Sequence, residues 1–317
     1  MSNAGCTPVA SSATPAVLSA ATIPVLAILG LVLAAACMGL GPIFVRLSGI
    51  SADASAFWRV ALSAPAFMIA ALIMTRRDAQ KPDRDAARPR RRPGLLILAG
   101  VLFAADLVFA HLAIGMTTVA NAILLNNLAP LFVGLLGLAG FATRPGKRFW
   151  IGMAVALIGG YCLFSASTSG SGSVIGDIMA LIAAAFYGVY FVVIAKLRRD
   201  HTALEIMLWS TIVTALSIGL LMLVRGEIDL PQATAGWLAL LGLAYVSHIG
   251  GQGMVSVCFK RVDEATGSMI LLCQPFMSAI LSAVILGEVL NVYHALGAVF
   301  IVIALLIATG KRRRSVI

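Results

Sequence analysis

Val119-Ala-Asn-Ala-Ile-Leu-Leu-Asn-Asn-Leu-Ala-Pro130-Leu-Phe132 returns 145 positions later as Glu264-Ala-Thr-Gly-Ser-Met-Ile-Leu-Leu-Cys-Gln-Pro275-Phe-Met277, and the register holds without a gap from 119 to 165. Pro130 falls on Pro275, and Gly152 falls on Gly297. Each copy reads as two apolar helices joined by a short turn. The turns differ in charge: Thr143-Arg-Pro-Gly-Lys-Arg148 carries three basic residues, and Glu288-Val-Leu-Asn291 carries none. Basic loops stay on the cytoplasmic side of a membrane, so the two copies are expected to face opposite ways across a bilayer.

The rest of the chain agrees with a bilayer. Of 317 residues, 60% are hydrophobic and 11% charged, and the mean hydropathy is +1.00. Soluble domains carry about 25% charged residues. A hydrocarbon core about 30 Å thick takes roughly 20 apolar residues per helix. Ten such segments are expected, at 25–45, 55–75, 94–114, 118–141, 149–167, 174–195, 203–224, 236–257, 265–286 and 291–310. Their continuous apolar runs exclude a membrane β-barrel, whose strands alternate polar and apolar residues.

The net charge of +10 is explained by its placement and not by nucleic acid. With the N-terminus inside, 20 of the 23 Lys and Arg residues fall on one side: eight in 76–93, three in 143–148, three in 196–199, two at 260–261 and four in 311–314. Arg46, Arg59 and Arg225 lie elsewhere. Both termini are therefore expected in the cytoplasm, with the tail and the 76–93 loop near anionic lipid. The five cysteines, Cys6, Cys37, Cys162, Cys258 and Cys273, have no metal-ligand spacing and read as small apolar helix residues. No metal or cofactor is expected.

The expected fold is thus an all-α integral membrane domain of ten transmembrane helices, arranged as a 5+5 inverted repeat. Residues 1–22 form a lead-in without the basic start of a signal peptide. The first repeat spans 23–168 and the inverted second repeat 174–310, and 311–317 is a basic cytoplasmic tail. Ser165-Ala-Ser-Thr-Ser-Gly-Ser-Gly-Ser173 marks the boundary, and Ala34-Ala-Ala-Cys-Met-Gly39 in segment one matches Ala183-Ala-Ala-Phe-Tyr-Gly188 in segment six. An inverted repeat is the sequence mark of many secondary transporters. The chain holds no G-x-x-x-x-G-K-[ST] loop for ATP, so an ion gradient or downhill flow is the expected drive. A membrane enzyme would need clustered carboxylates, histidines or cysteines, and a channel would conduct without counterflow.

Several residues are candidates for chemistry. Mid-helix prolines remove a hydrogen bond and kink the helix, so Pro130 and Pro275 are a pair of hinge candidates. Gly39 and Pro42 mark a similar weak point. A static kink is the alternative. Asn126 and Asn127 stand beside the first kink, and Gln274 precedes the second. Ionisable residues inside a membrane are functional by default. Segment three carries Asp106 and His111, and segment eight carries His248 and Gln252 four residues apart. A polar central cavity is expected, lined by segments one, three, four, six, eight and nine, with Asp106 or a histidine exchanging a proton. Helix–helix hydrogen bonding is the competing reading.

Arg59 is read as an anion ligand or a snorkelling side chain, and Arg46 as snorkelling. In segment six, Tyr187 with Phe191, or Phe186 with Tyr190, would share a face toward the cavity. Trp58, Trp150 and Trp237 lie where an interfacial belt would place them. Gly134, Gly137, Gly140, Gly152, Gly159, Gly160, Gly250, Gly251 and Gly253 fit close helix crossings. Asp177 and Glu288 are expected to satisfy free N–H groups at helix starts.

Gln274-Pro275-Phe276, then Ile285-Leu-Gly-Glu288 and Gly297, with Gly176-Asp177 and Phe57-Trp58-Arg59, resemble the EamA branch of the drug/metabolite transporter superfamily over residues 25–310. Two features depart from that family. Gly140-Phe-Ala-Thr143 stands where a second Leu-Gly-Glu turn is common, and Ala129 precedes Pro130 where an acid or polar residue is common. The resemblance implies a bacterial inner-membrane exporter of small metabolites, amino acids first, with aromatic amino acid exporters as the members to compare. Nucleosides, sugars and cationic drugs are the alternative substrates.

Overall fold

In a bilayer, apolar runs satisfy their backbone only as helices, because no water is present to take the peptide N–H and C=O groups. The computed structural model describes residues 22–79, 93–117, 119–166, 173–226, 229–287 and 292–309, and all regular structure in them is helical. The expected lead-in before Thr22, residues 80–92 of the basic loop, 167–172 of the Ser/Gly boundary, the turn holding Glu288, and the basic tail lie outside the described residues.

In chain order the elements are α1 (Thr22–Gly39), α2 (Gly41–Ser48), α3 (Ala52–Ala79), α4 (Pro93–Met116), α5 (Val119–Asn126), α6 (Ala129–Leu138), α7 (Lys147–Ala166), α8 (Val174–Leu197), α9 (Ala203–Arg225) and α10 (Thr234–Gly242). A π-helical stretch (Leu243–Gln252) leads into α11 (Gly253–Cys258), followed by α12 (Glu264–Leu271), α13 (Gln274–Leu286) and α14 (Val292–Thr309). Seven continuous stretches are long and apolar enough to cross a membrane: Val25–Ser48, Asp53–Met74, Pro93–Ala113, Val174–Leu197, Ala203–Arg225, Thr234–Cys258 and Glu264–Ile285. Ala122–Leu138 and Val292–Ala308 are shorter apolar stretches. The surface is apolar where a soluble protein's would be polar: Leu216, Val284 and Leu306 are at least two-thirds exposed, as side chains facing lipid should be.

Helix ends carry local causes. Thr202 and Asp263 accept hydrogen bonds from the N–H groups of Glu205 and Thr266, capping α9 and α12. Gly226 and Gly287 close α9 and α13 in the left-handed region, at φ 70° and 69°. Three prolines act as helix starts rather than kinks, whereas Pro65 lies inside α3. Pro42, Pro130 and Pro275 each stand in the first turn of a new helix, where the N–H that proline lacks would have no helical partner. The chain crosses each gap on tight turns. Leu128 N donates to Leu125 O at 3.1 Å, and Cys273 N to Ile270 O at 3.2 Å.

Packing repeats itself along the chain. α1 packs on α12 and α13, while α8 packs on α5 and α6. α4 packs on α8 and α9, and the π-helical stretch packs on α1 and α3. α3 meets α9, α7 meets α14, and α6 meets α12. Moving each stretch of the first half onto its counterpart in the second exchanges the first four of these contacts in pairs and keeps α3–α9 and α7–α14, while α6–α12 has no comparable α5–α13 counterpart. The closest crossings repeat too. A Cβ on Gly39 would lie 3.2 Å from Gln274 O, and one on Gly188 would lie 2.8 Å from Ala129 O. Gly39 and Gly188 are the matched ends of the Ala-Ala-Ala motifs, and Ala129 and Gln274 are matched by the 145-residue register. Each half presents a glycine to the backbone just before the other half's proline.

Candidate functional site

The polar groups of the two halves meet around one aromatic ring. Phe103 on α4 stacks on Tyr190 of α8, with centroids 5.1 Å apart and planes 22° apart, and on His248 of the π-helical stretch at 5.6 Å and 20°. The Arg59 guanidinium from α3 lies over the same ring, 5.8 Å from its centroid. A cation held this way gains about 0.5–2 kcal/mol. Tyr187 stacks on Tyr190 at 5.9 Å and packs on Phe191 at 4.2 Å. Phe103 and His248 are themselves matched by the 145-residue register, so equivalent side chains face each other at the centre of the molecule.

Neutral groups in the cluster pair with one another. Gln252 Nε2 donates to the Tyr187 hydroxyl at 2.8 Å, and Thr211 Oγ1 lies 3.0 Å from His248 Nε2. The charged groups are less completely satisfied. Arg59 and Asp106 are electrostatic neighbours, and the Asn126 carboxamide lies beside Asp106. Yet Arg59 Nε and Asp106 Oδ1 have no hydrogen-bond partner among the described residues. The same holds for Asn126 Oδ1, Tyr190 Oη, His248 Nδ1, Gln252 Oε1, Ser247 Oγ and Ser256 Oγ. Asp106, Tyr190, His248 and Gln252 are all buried. A buried polar group left unpaired costs about 1–3 kcal/mol.

Of the candidates drawn from the sequence, Arg59, Asp106, Asn126, Tyr187, Tyr190, His248 and Gln252 come together here. Three do not. His111 pairs with Asp53 Oδ1 at 3.1 Å, and Arg225 reaches the other oxygen of Asp53 at 3.5 Å. Five residues turn a helix by 500°, so His111 points away from Asp106 and sits about 7.5 Å further along. Asn127 is one residue round from Asn126 and donates to Ile123 O at 2.7 Å. Gln274 opens α13, where its carbonyl packs beneath Gly39. Its side chain makes no hydrogen bond among the described residues.

Other expectations shift in detail. Of the two expected face-sharing pairs on α8, Tyr187 packs on Phe191 at 4.2 Å, whereas Tyr190 stacks with Tyr187 in the cluster and Phe186 stacks on Phe109 instead at 5.6 Å. The cluster also draws on α3 and α9, the second and seventh segments. Asp177 Oδ1 accepts from Thr117 Oγ1 at 2.7 Å, which ties the start of α8 to the end of α4. Arg46 is exposed, while Trp58 donates from Nε1 to Asp229 O at 3.3 Å. Gly134, Gly137, Gly152, Gly159, Gly160 and Gly251 are tightly approached, whereas Gly253 meets nothing and Gly140 is a left-handed turn at φ 83°. Phe103 and Thr211 are the members that sequence reasoning missed. Nothing separates Phe103 from other apolar residues except its register match to His248. The π-helical stretch has no apolar signature either, although such bulges concentrate at functional sites. Among the described residues no three His, Cys, Asp or Glu side chains converge on a metal site.

A multi-helix membrane protein with a buried polar centre between its helices is built like a transporter. The chain belongs to the EamA-like transporter family, which it matches twice, over residues 25–165 and 174–310, and so to the drug/metabolite transporters. It is 32% identical over 227 residues to an uncharacterized transporter, YdeK, of Bacillus subtilis, covering 69% of this chain and 75% of that protein. It is 28% identical over 186 residues to a probable amino-acid metabolite efflux pump of Salmonella typhimurium, covering 56% and 62%. A crystal structure of another protein matches 90% of this chain and 96% of its own, with a TM-score of 0.76 at 18% identity. That likeness speaks for the fold alone.

Proposed function

We propose that this transporter exports a small zwitterionic metabolite, an amino acid or a close relative, by alternating access around the Phe103 cluster. One observation carries the reading: a guanidinium and a carboxylate, Arg59 and Asp106, stand near each other in a buried site, each with a buried atom that has no hydrogen-bond partner among the described residues. A carboxylate matches the donor fork of Arg59. An ammonium matches Asp106, with Asn126 at its side. Phe103, Tyr187 and Tyr190 supply an apolar wall for the rest of the molecule. Such a ligand satisfies both charges at once, and a neutral sugar or a simple cation leaves one of them bare. The Salmonella relative's name fits this substrate class.

The architecture proposed is ten crossings in a 5+5 inverted repeat. The matching contacts of α1 with α12 and α13 and of α8 with α5 and α6, and the two family matches, support it. Bonds between helix ends fit the alternation as well. Thr143 N donates to Glu264 Oε1 at 2.6 Å, and Ser51 N donates to Asp229 Oδ2 at 2.8 Å. Each bond joins ends that successive crossings bring to one side. Pro130 and Pro275, with Gly39 and Pro42, act as the hinges at which half-helices tilt. The charge bias favours cytoplasmic termini, the family favours a bacterial inner membrane, and protons are the proposed coupling ion.

Proteoliposomes loaded with radiolabelled amino acids test this. Saturable efflux, chased by unlabelled substrate and faster under an imposed pH gradient, is the expected result, with the pH effect absent in Asp106→Asn. No flux for any amino acid would sink the substrate class. Flux without counterflow would turn the reading toward a channel.

A further inference from the structure

The two halves differ at α12, which the 145-residue register makes the counterpart of α5. α12 packs on α6, α7 and α8, whereas α5 makes no comparable contact with α13, α14, α1 or α2 among the described residues. Burial differs to match. Glu264, Ala265 and every residue from Gly267 to Leu271 are buried, while of residues 122–126 on α5 only Ala122 is. Single side chains part in the same way. A Cβ on Gly152 would lie 3.2 Å from Met269 Cε, so Met269 reaches α7 in the other half. Its counterpart Leu124 lies against Gly160 of α7, in its own half.

In an inverted repeat the two access states exchange the arrangements of the halves. Contacts that match between the halves survive the exchange. Contacts that do not match are made in one state and broken in the other. We propose, on the alternating-access reading above, that the structure is the state closed toward the cytoplasm, with α12 as the closed gate and Glu264 as its latch.

The side follows from charge. α12 starts just after Lys260 and Arg261, and α6 runs into the turn that holds Arg144, Lys147 and Arg148; basic ends of this kind stay in the cytoplasm. The latch follows from a bond across the halves. Glu264 is buried, and its Oε1 accepts from Thr143 N at 2.6 Å. The turn holds that N–H in place. Gly140 is left-handed at φ 83°, Phe141 N donates to Leu136 O at 2.9 Å, and a Cβ on Gly137 would lie 2.5 Å from Thr143 O. The other gate is given no such acceptor, because the register matches Glu264 with Val119. A valine side chain accepts no hydrogen bond, so the latch serves one gate and weights the resting protein toward access from outside.

Thiol labelling tests this without a substrate. Ser268 and Ile123 are matched by the register. Ser268 is fully buried one turn along α12 from Glu264, and Ile123 is half-buried. In a chain whose five cysteines are replaced by alanine, a membrane-impermeant maleimide should react at Ile123→Cys from outside and spare Ser268→Cys from inside. Glu264→Val installs the matched residue. It should raise the rate at Ser268→Cys in inside-out vesicles by roughly 10- to 100-fold, as the loss of a hydrogen bond to a charged group allows, and lower the rate at Ile123→Cys in right-side-out vesicles. Glu264→Gln keeps an acceptor and should move both sites in the same directions by less. A loosened fold would raise both rates, so opposite movement is the mark of a gate. Unchanged rates at both sites overturn the latch and leave alternating access standing. A rise at both overturns the latch, and flux without counterflow in the same variant overturns the transport reading with it.

Discussion

The two halves of the chain agree in backbone and disagree in chemistry. Gly39 matches Gly188, Pro130 matches Pro275, and each glycine receives the other half's backbone at the same point. The matching extends to the second and seventh segments. Ser51 and Thr202 both accept from the N–H three residues on, and a shift of 151 then lays Trp58 on Trp209 and Arg59 on Ser210. The charged members of the cluster all belong to the first half. Arg59 faces a serine at its counterpart, Asp106 a glycine (Gly251) and Asn126 a leucine (Leu271). The second half brings hydroxyls, an imidazole and a carboxamide. A duplicated scaffold must keep what its crossings require, because a Cβ in a backbone contact acts on both arrangements of the helices. It has no such reason to keep side chains at a site whose ligand lacks two-fold symmetry.

The sharpest way to break this comparison is to remove a charge and its counterpart separately. Truncating one member of a buried charge arrangement costs about 2–5 kcal/mol, and 1.4 kcal/mol is tenfold in affinity. Arg59→Leu and Asp106→Asn should each weaken substrate binding by at least about 30-fold. Ser210→Ala, at the position equivalent to Arg59, should change it by no more than about tenfold, as the loss of one neutral hydrogen bond does. Isothermal titration on purified protein reads both. Equal losses in the two halves would mean that the charge asymmetry has no bearing on the ligand.

The next effect concerns the shared backbone. A methyl at position 188 would meet Ala129 O and the Phe132 Cβ, both at 2.8 Å, while one at position 39 would meet Ser278 N at 3.0 Å and Gln274 O at 3.2 Å. Overpacking of this kind costs about 1–3 kcal/mol. Gly188→Ala should lower the melting temperature more than Gly39→Ala, and both should slow exchange flux while leaving equilibrium binding within about twofold. If only one slows flux, the two crossings do not share the work of opening.

How far the sequence reaches follows the same division. The repeat, the apolar stretches and the breaks before Pro42, Pro130 and Pro275 are legible because they depend on local patterns: runs, glycines and prolines. Seven cluster residues are legible because polar groups at membrane depth stand out against leucine and alanine. Helix rotation is not legible. His111 and Asn127 look as suitable as Asp106 and Asn126, and only the azimuth around α4 and α5 sends them elsewhere. Phe103 is invisible for the opposite reason, being one more apolar residue until packing makes it the ring on which Arg59, Tyr190 and His248 lie. The widened π-helical turn carrying His248 and Gln252 has no period that a hydropathy pattern would report.

A smaller effect concerns one of the two hydrogen-bonded pairs supplied by the second half. Gln252→Leu and Tyr187→Phe both delete the 2.8 Å bond between these side chains. A bond between neutral groups contributes about 0.5–1.5 kcal/mol, so affinity should fall by about two- to tenfold. The double variant should lose no more than the larger single, since one bond is shared. Losses that simply add would mean that each side chain touches the substrate on its own account.

The weakest expected effect lies outside the cluster and defines its edge. His111 is tied to Asp53, and Asp53 to Arg225, where α3, α4 and α9 end. Ion pairs reached by water contribute about 0–1 kcal/mol, because water and salt screen them, and Asp53 and Arg225 are each about one-third exposed. His111→Gln keeps a hydrogen-bonding side chain there and should leave binding within about twofold, with any change in flux shrinking as salt rises. A loss as large as that of Asp106→Asn would extend the site one and a half turns along α4 toward the Arg225 end. The charges of the first half would then form a path leading to the surface, and its difference from the second half would lie in the route the substrate takes as well as in the place where it rests.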